Sequence, residues 1–142
     1  MASDPYDLAR FRTAQDAHGT HAAALAELRS GRKTSHWMWF VFPQIAGLGR
    51  SSTAVHFAIA SLDEARAYVA DPVLGPRLLE AAAAVAEARA DSADALLGGI
   101  DAVKLRSSMT LFLRVAPEEP VFRRVLERWF DGTEDEATVA LL

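Results

Sequence analysis

Three hydroxyl side chains within four positions, Ser107, Ser108 and Thr110, interrupt a hydrophobic run that starts at Lys104 and ends at Arg114. Helical spacing brings Lys104, Ser107 and Ser108 together one turn apart, with Thr110 and Arg114 on an adjoining stripe. Ser and Thr hydroxyls compete for backbone groups and so do little for a helix. They either bond back to the preceding turn and permit close packing, or they face a polar ligand. Lys104 is one of two lysines, with Lys33, in a chain whose Lys and Arg total 15. An ammonium at that position suits a phosphate or a carboxylate. The plainer reading is a solvated base at a helix start beside packing serines.

A second segment, Ser35-His36-Trp37-Met38-Trp39-Phe40-Val41-Phe42-Pro43-Gln44, crowds two Trp and two Phe between polar ends. Buried indoles need a partner for their N–H. Pockets for flat ligands have this composition, apolar walls with few polar groups. His36, Trp39 and Gln44 are therefore candidate ligand residues, with Lys104, Ser107 and Ser108 as the anion-binding set. The same aromatics equally suit a central core element with His36 bonded to backbone.

Other chemistries find less support. Ser107 or Ser108 with His36 would give a nucleophile and a base, but no Gly-x-Ser-x-Gly elbow accompanies them. His18 and His21 have a metal-ligand spacing, yet Gly19 and Thr20 intervene and Asp16 alone does not complete a set. Gly47-Leu48-Gly49 lacks the third glycine and strand–helix unit of a dinucleotide fingerprint. Capping accounts for Asp63, Glu64 and Asp71. The expectation is no metal and no cofactor.

The elements that must position these residues read as helices. A chain of 142 residues, 51% hydrophobic, suffices for one domain over 1–142 with a core of its own. Ser3-Asp4-Pro5 marks the first helix start, with Leu8, Phe11 and Gln15 on its inner face. Gly19 breaks that segment, and Thr20 caps a second helix that stops at Gly31. Ser35 caps a short piece, His36 to Phe42, that periodicity assigns to neither helix nor strand before Pro43 ends it.

A loop over 44–51 precedes a short helix over 52–60. Ser61 with Glu64 forms a capping box, and Asp71-Pro72 opens the Ala-rich helix through Arg89. Ser92 caps a turn that stops at Gly98-Gly99. Asp101 begins a helix through Ala116 with Leu105, Met109, Phe112 and Ala116 inward. Pro120 opens the next, and Thr133 with Glu136 caps the last turn. The expected fold is all-α, a compact bundle of short helices packed orthogonally.

A net charge of −4 argues against a nucleic-acid surface. Arg10 with Arg12, and Arg29, Arg32 and Lys33, read as solvated helix ends. The absence of cysteine excludes disulfides and thiol chemistry and suits a reducing cytoplasm. Met1 to Arg12 has no signal-peptide core, and the apolar run from Trp37 to Pro43 is too short to span a bilayer. A cytoplasmic protein with no membrane partner is expected.

Across nearly its whole length the chain resembles a bacterial family known as domain of unknown function 1810. The resemblance rests on Asp4-Pro5-Tyr6-Asp7-Leu8 with Phe11 and Gln15, the aromatic decapeptide from Ser35 to Gln44, and Gly47-Leu48-Gly49. It continues through 61–70, Asp71-Pro72-Val73-Leu74-Gly75-Pro76-Arg77-Leu78, and Lys104 to Phe112. It implies a compact helical fold and no established activity, so no catalytic residue carries over. Some members bear the label calpastatin. That label conflicts with the core evident here, since such inhibitors are polar and disordered.

Two functional expectations follow. The first is a protein that binds or processes a small polar ligand, phosphorylated or nucleotide-like, between the 35–44 segment and the 104–114 helix. The second is a structural or protein-interaction module with no small-molecule site.

Overall fold

Side-chain oxygens account for many of the helix starts. Ser51, Ser61, Ser92 and Asp135 each accept the backbone N–H three residues on, from Ala54, Glu64, Ala95 and Thr138. Each bond satisfies a donor that the first turn leaves orphaned. The computed structural model describes residues 3–142; Met1 and Ala2, part of the stretch read for a signal peptide, lie outside the described residues. The elements are α1 (Ala9–Asp16), α2 (Thr20–Ser30), α3 (Met38–Val41), α4 (Ser52–His56), α5 (Leu62–Ala70), α6 (Leu74–Ala86), α7 (Ala93–Leu97), α8 (Gly99–Val115), α9 (Pro120–Phe130) and α10 (Glu136–Leu141).

Several boundaries differ from the expected ones, each for a local reason. The Asp4 carboxylate reaches past Pro5 to accept the Leu8 and Ala9 N–H groups at 2.7 and 2.9 Å, so α1 opens at Ala9. Those two bonds, the Ala9 one foremost, hold its carboxyl below the usual range. Thr20 is not a cap: its hydroxyl donates to the Ala17 carbonyl, while His18 and Gly19, at φ 54° and 65°, make the kink. Ser35 is not a cap either, because its hydroxyl donates to Glu27. The aromatic segment is helical for one turn only, Met38–Val41. At the C-terminal end Asp135, and not Thr133, caps α10.

Among the described residues the chain is helical apart from loops and one isolated pairing. There the Ala46 N–H donates to the Ile59 carbonyl and the Ile59 N–H to the Gln44 carbonyl, at 2.7 and 2.8 Å. A single hydrophobic core joins the inward faces of the helices, with Phe11, Trp37, Phe42, Tyr68, Leu105, Phe112 and Phe122 fully buried. Helix α8 carries the central apolar face and packs against α5, α7, α9 and α10. The left-handed Gly31 ends α2 where a Cβ would stand 2.3 Å from the Arg89 carbonyl oxygen, so only glycine closes that junction. No helix among the described residues is long and apolar enough to cross a membrane.

Candidate functional site: a cleft beside helix α8

Two carboxylates and a glutamine fix the aromatic segment. Glu27, on α2, accepts the Thr34 and Ser35 N–H groups at 2.7 and 3.0 Å, the Ser35 hydroxyl, and the Trp37 indole N–H at 3.0 Å. Partial burial by itself would raise its pKa. The Ser35, Thr34 and Trp37 hydrogen bonds outweigh burial and bring it down to about 2. Gln15 donates to the Phe40 carbonyl at 2.7 Å and to the Tyr68 hydroxyl at 3.1 Å, pinning α3 between α1 and α5. Burial pushes the Tyr68 phenol up, so it stays protonated and donates to Phe40 in turn.

The second carboxylate is Asp101, in the first turn of α8. Its Oδ2 lies 2.9 Å from Lys33 Nζ and its Oδ1 lies 3.5 Å from Lys104 Nζ. Both lysines of the chain therefore converge on one aspartate. Each also lies over an indole of the aromatic segment, Lys33 at 5.1 Å from the Trp37 ring and Lys104 at 4.9 Å from the Trp39 ring. One carboxylate shared between two ammonium groups leaves a positive charge unmatched within the trio.

Lys104 opens onto a cleft of about 400 Å³ between α8, the loop before α4 and the start of α10. Its walls are mostly apolar, from Leu48, Ile100, Val103 and Ala137, with Gln44, Lys104, Ser107 and Asp135 as the polar members. Ile100 and Val103, one turn apart on α8, are 78% and 61% exposed at its rim. The far wall is tied down by arginines of α8. Arg106 donates to the Thr133 and Glu134 carbonyls, both at 2.9 Å, and Arg114 pairs with the Glu134 carboxylate. The Asp135 N–H adds a bond to the Thr110 hydroxyl at 2.9 Å.

Of the residues singled out from the sequence, Gln44, Lys104 and Ser107 line this cleft, and Trp39 stands behind Lys104. His36 is exposed and lies outside the cleft lining. Ser108 points into the core, where its hydroxyl is fully buried and has no partner among the described residues. Arg10 and Glu64, read as a solvated helix end and a cap, form a buried ion pair at 2.7 Å that also holds the His56 and Ala58 carbonyls. Sequence reasoning passed over Asp101, Asp135, Thr138, Ile100 and Val103. Only Asp101 and Asp135 carried a signal, as acidic residues at helix starts. Among the described residues no group of three His, Asp or Glu side chains has a metal-binding arrangement.

Among curated proteins, no relative matches the chain. Among solved structures, the crystal structure of the conserved hypothetical protein Rv1873 from Mycobacterium tuberculosis is 47% identical, with a TM-score of 0.94 over 98% of each chain. Residues 5–142 match the family described as Protein of unknown function (DUF1810). With almost the whole chain inside that match, this protein belongs to the DUF1810 family.

Proposed function

We propose that this protein binds a small molecule bearing one anionic group, a carboxylate or a phosphate, in the cleft beside α8. The single observation that carries the reading is the setting of Lys104. Lys104 lines the cleft, and its ammonium lies over Trp39 and shares Asp101 with Lys33. An anion entering the cleft would meet the ammonium that Asp101 holds more loosely. The exposed Ile100 and Val103 support a ligand with an apolar body, since such a body would cover them.

Gln44 and Ser107 supply the neutral hydrogen-bonding groups of this reading, and Trp39 positions Lys104 rather than forming a stacking wall. The net charge of −4 favours a small ligand over a nucleic-acid partner, and the lack of cysteine suits a cytoplasmic location. A panel of mononucleotides, sugar phosphates and aliphatic carboxylates, followed by thermal shift, tests it. Members of the panel should raise Tm by several degrees in the native protein and leave Lys104→Met unmoved. A panel without effect on the native protein would favour the competing reading, an interaction module with no small-molecule site.

A further inference from the structure

The hydrogen atoms on the far wall of the cleft have only one arrangement. Asp135 Oδ2 accepts both the Thr138 N–H and the Thr138 hydroxyl, at 2.9 and 2.6 Å. Thr138 has a single hydroxyl proton, and that bond uses it. The Ser107 hydroxyl, 2.6 Å from Thr138 Oγ1, must therefore be the donor in their contact. With its proton committed, Ser107 can only accept from a molecule in the cleft. Asp135 Oδ1 takes no protein donor among the described residues, so it too can only accept. Both residues line the cleft, and Ser107 is 1% exposed, its orientation locked by packing.

The cleft thus has two poles. Lys104 donates at one; Ser107 and Asp135 accept at the other. Lys104 and Ser107 stand three residues apart on α8, and Asp135 bonds Thr110 three residues further on. Helical rise sets positions 104 and 107 of α8 roughly 5 Å apart along the axis, and 104 and 110 roughly 9 Å. Apart from Gln44 and Gly49, the rest of the lining is Leu48, Ile100, Val103 and Ala137, all apolar. Resting on the anion reading above, we infer that the ligand is bipolar: an anionic group at Lys104 and a protonated amine at Ser107 and Asp135, joined by an apolar chain. Its chemical class is that of an ω-amino acid or of another amino-bearing carboxylate of similar span.

The test uses three probes of matched length, 6-aminohexanoate, hexanoate and hexylamine, titrated into the full chain with amide chemical shifts as the readout. Aminohexanoate should bind about tenfold more tightly than hexanoate, the increment of one charge-assisted contact. Asp135→Asn is the decisive variant. Asn caps a helix as well as Asp does, so α10 keeps its start while the cleft-facing oxygen is replaced by a donor amide. The affinity ratio of aminohexanoate to hexanoate should then collapse to about one. Ser107→Ala, with folding checked by its own spectrum, should reduce the same ratio in part.

Equal binding of hexanoate and aminohexanoate by the native protein overturns the second pole and leaves the anion reading standing. A ratio that survives Asp135→Asn does the same. Hexylamine binding with no response to either carboxylate overturns the anion reading, and the bipolar ligand with it.

Discussion

Lys104 Nζ lies 4.9 Å from the centre of the Trp39 ring, and this contact joins the two segments in which the sequence concentrates its chemistry. The aromatic turn approaches α8 through one cation over one indole face, while Asp101 holds the same ammonium from the side. A flexible four-carbon side chain is thereby confined before any ligand arrives, which lowers the ordering cost of binding.

Trp39→Leu accordingly weakens anion binding by a few-fold, because a cation–π contact of this kind contributes about 0.5–2 kcal/mol. Tm should change little, as Trp39 is only half-buried. Titration of a carboxylate into both proteins measures the ratio. An unchanged affinity would mean that Trp39 does not position the ammonium.

Neighbouring serines of α8 should behave oppositely. Ser108 buries a hydroxyl with no partner among the described residues, so Ser108→Ala removes an unpaid polar group and gains helix propensity. It should stabilise the fold by about 1 kcal/mol. Ser107→Ala strands the Thr138 oxygen and should cost about 1 kcal/mol. Urea unfolding of the two variants decides, and a destabilised Ser108→Ala would contradict the assignment.

Glu27 predicts an acid limb. Its carboxyl is held down to about 2 from an ordinary 4.5, with burial opposing the shift and the Ser35, Thr34 and Trp37 hydrogen bonds overriding it. A depressed pKa contributes stability fully above the unfolded value and loses it as pH falls toward the folded one. The stability gap between the native protein and Glu27→Gln should therefore be constant above pH 4.5 and shrink toward pH 2. Urea midpoints at several pH values give the profile. Glu27→Ala, which strands the Trp37 indole N–H, should cost about 2–4 kcal/mol at neutral pH.

Gly75, in the first turn of α6, has no room for a side chain. A Cβ there would sit 2.1 Å from the Val69 carbonyl oxygen of α5. Alanine is the better helix former by roughly 1 kcal/mol, so propensity alone predicts that Gly75→Ala stabilises. The clash is with backbone, which cannot turn aside, and the variant should lose 2 kcal/mol or more, about the cost of overpacking. Thermal unfolding measures the sign directly.

The boundaries show how far local signals reach. Ser61 and Ser92 cap helices where the sequence places caps, and Gly31 ends one, because each acts on backbone a few residues away. Thr133 is the cap expected before α10, but Asp135 takes the role. Arg106 holds that loop by donating to the Thr133 carbonyl, and the loop donates the Asp135 N–H to the Thr110 hydroxyl. Glu64 looked complete as a cap, yet its partner Arg10 stands far away in sequence.

By itself the sequence determined an all-helical chain, the inward faces of α1 and α8, and the two segments richest in functional groups. Those follow from periodicity, propensity and capping, which operate within one or two turns. Tertiary structure alone decided that Lys33 and Lys104 share Asp101, that His36 lies outside the cleft lining, and that Ser107 rather than Ser108 belongs to it. Hydroxyls on adjacent residues of one helix differ by about 100° in direction. Which of them meets a ligand depends on where neighbouring helices stand, and that is set by packing over the whole core.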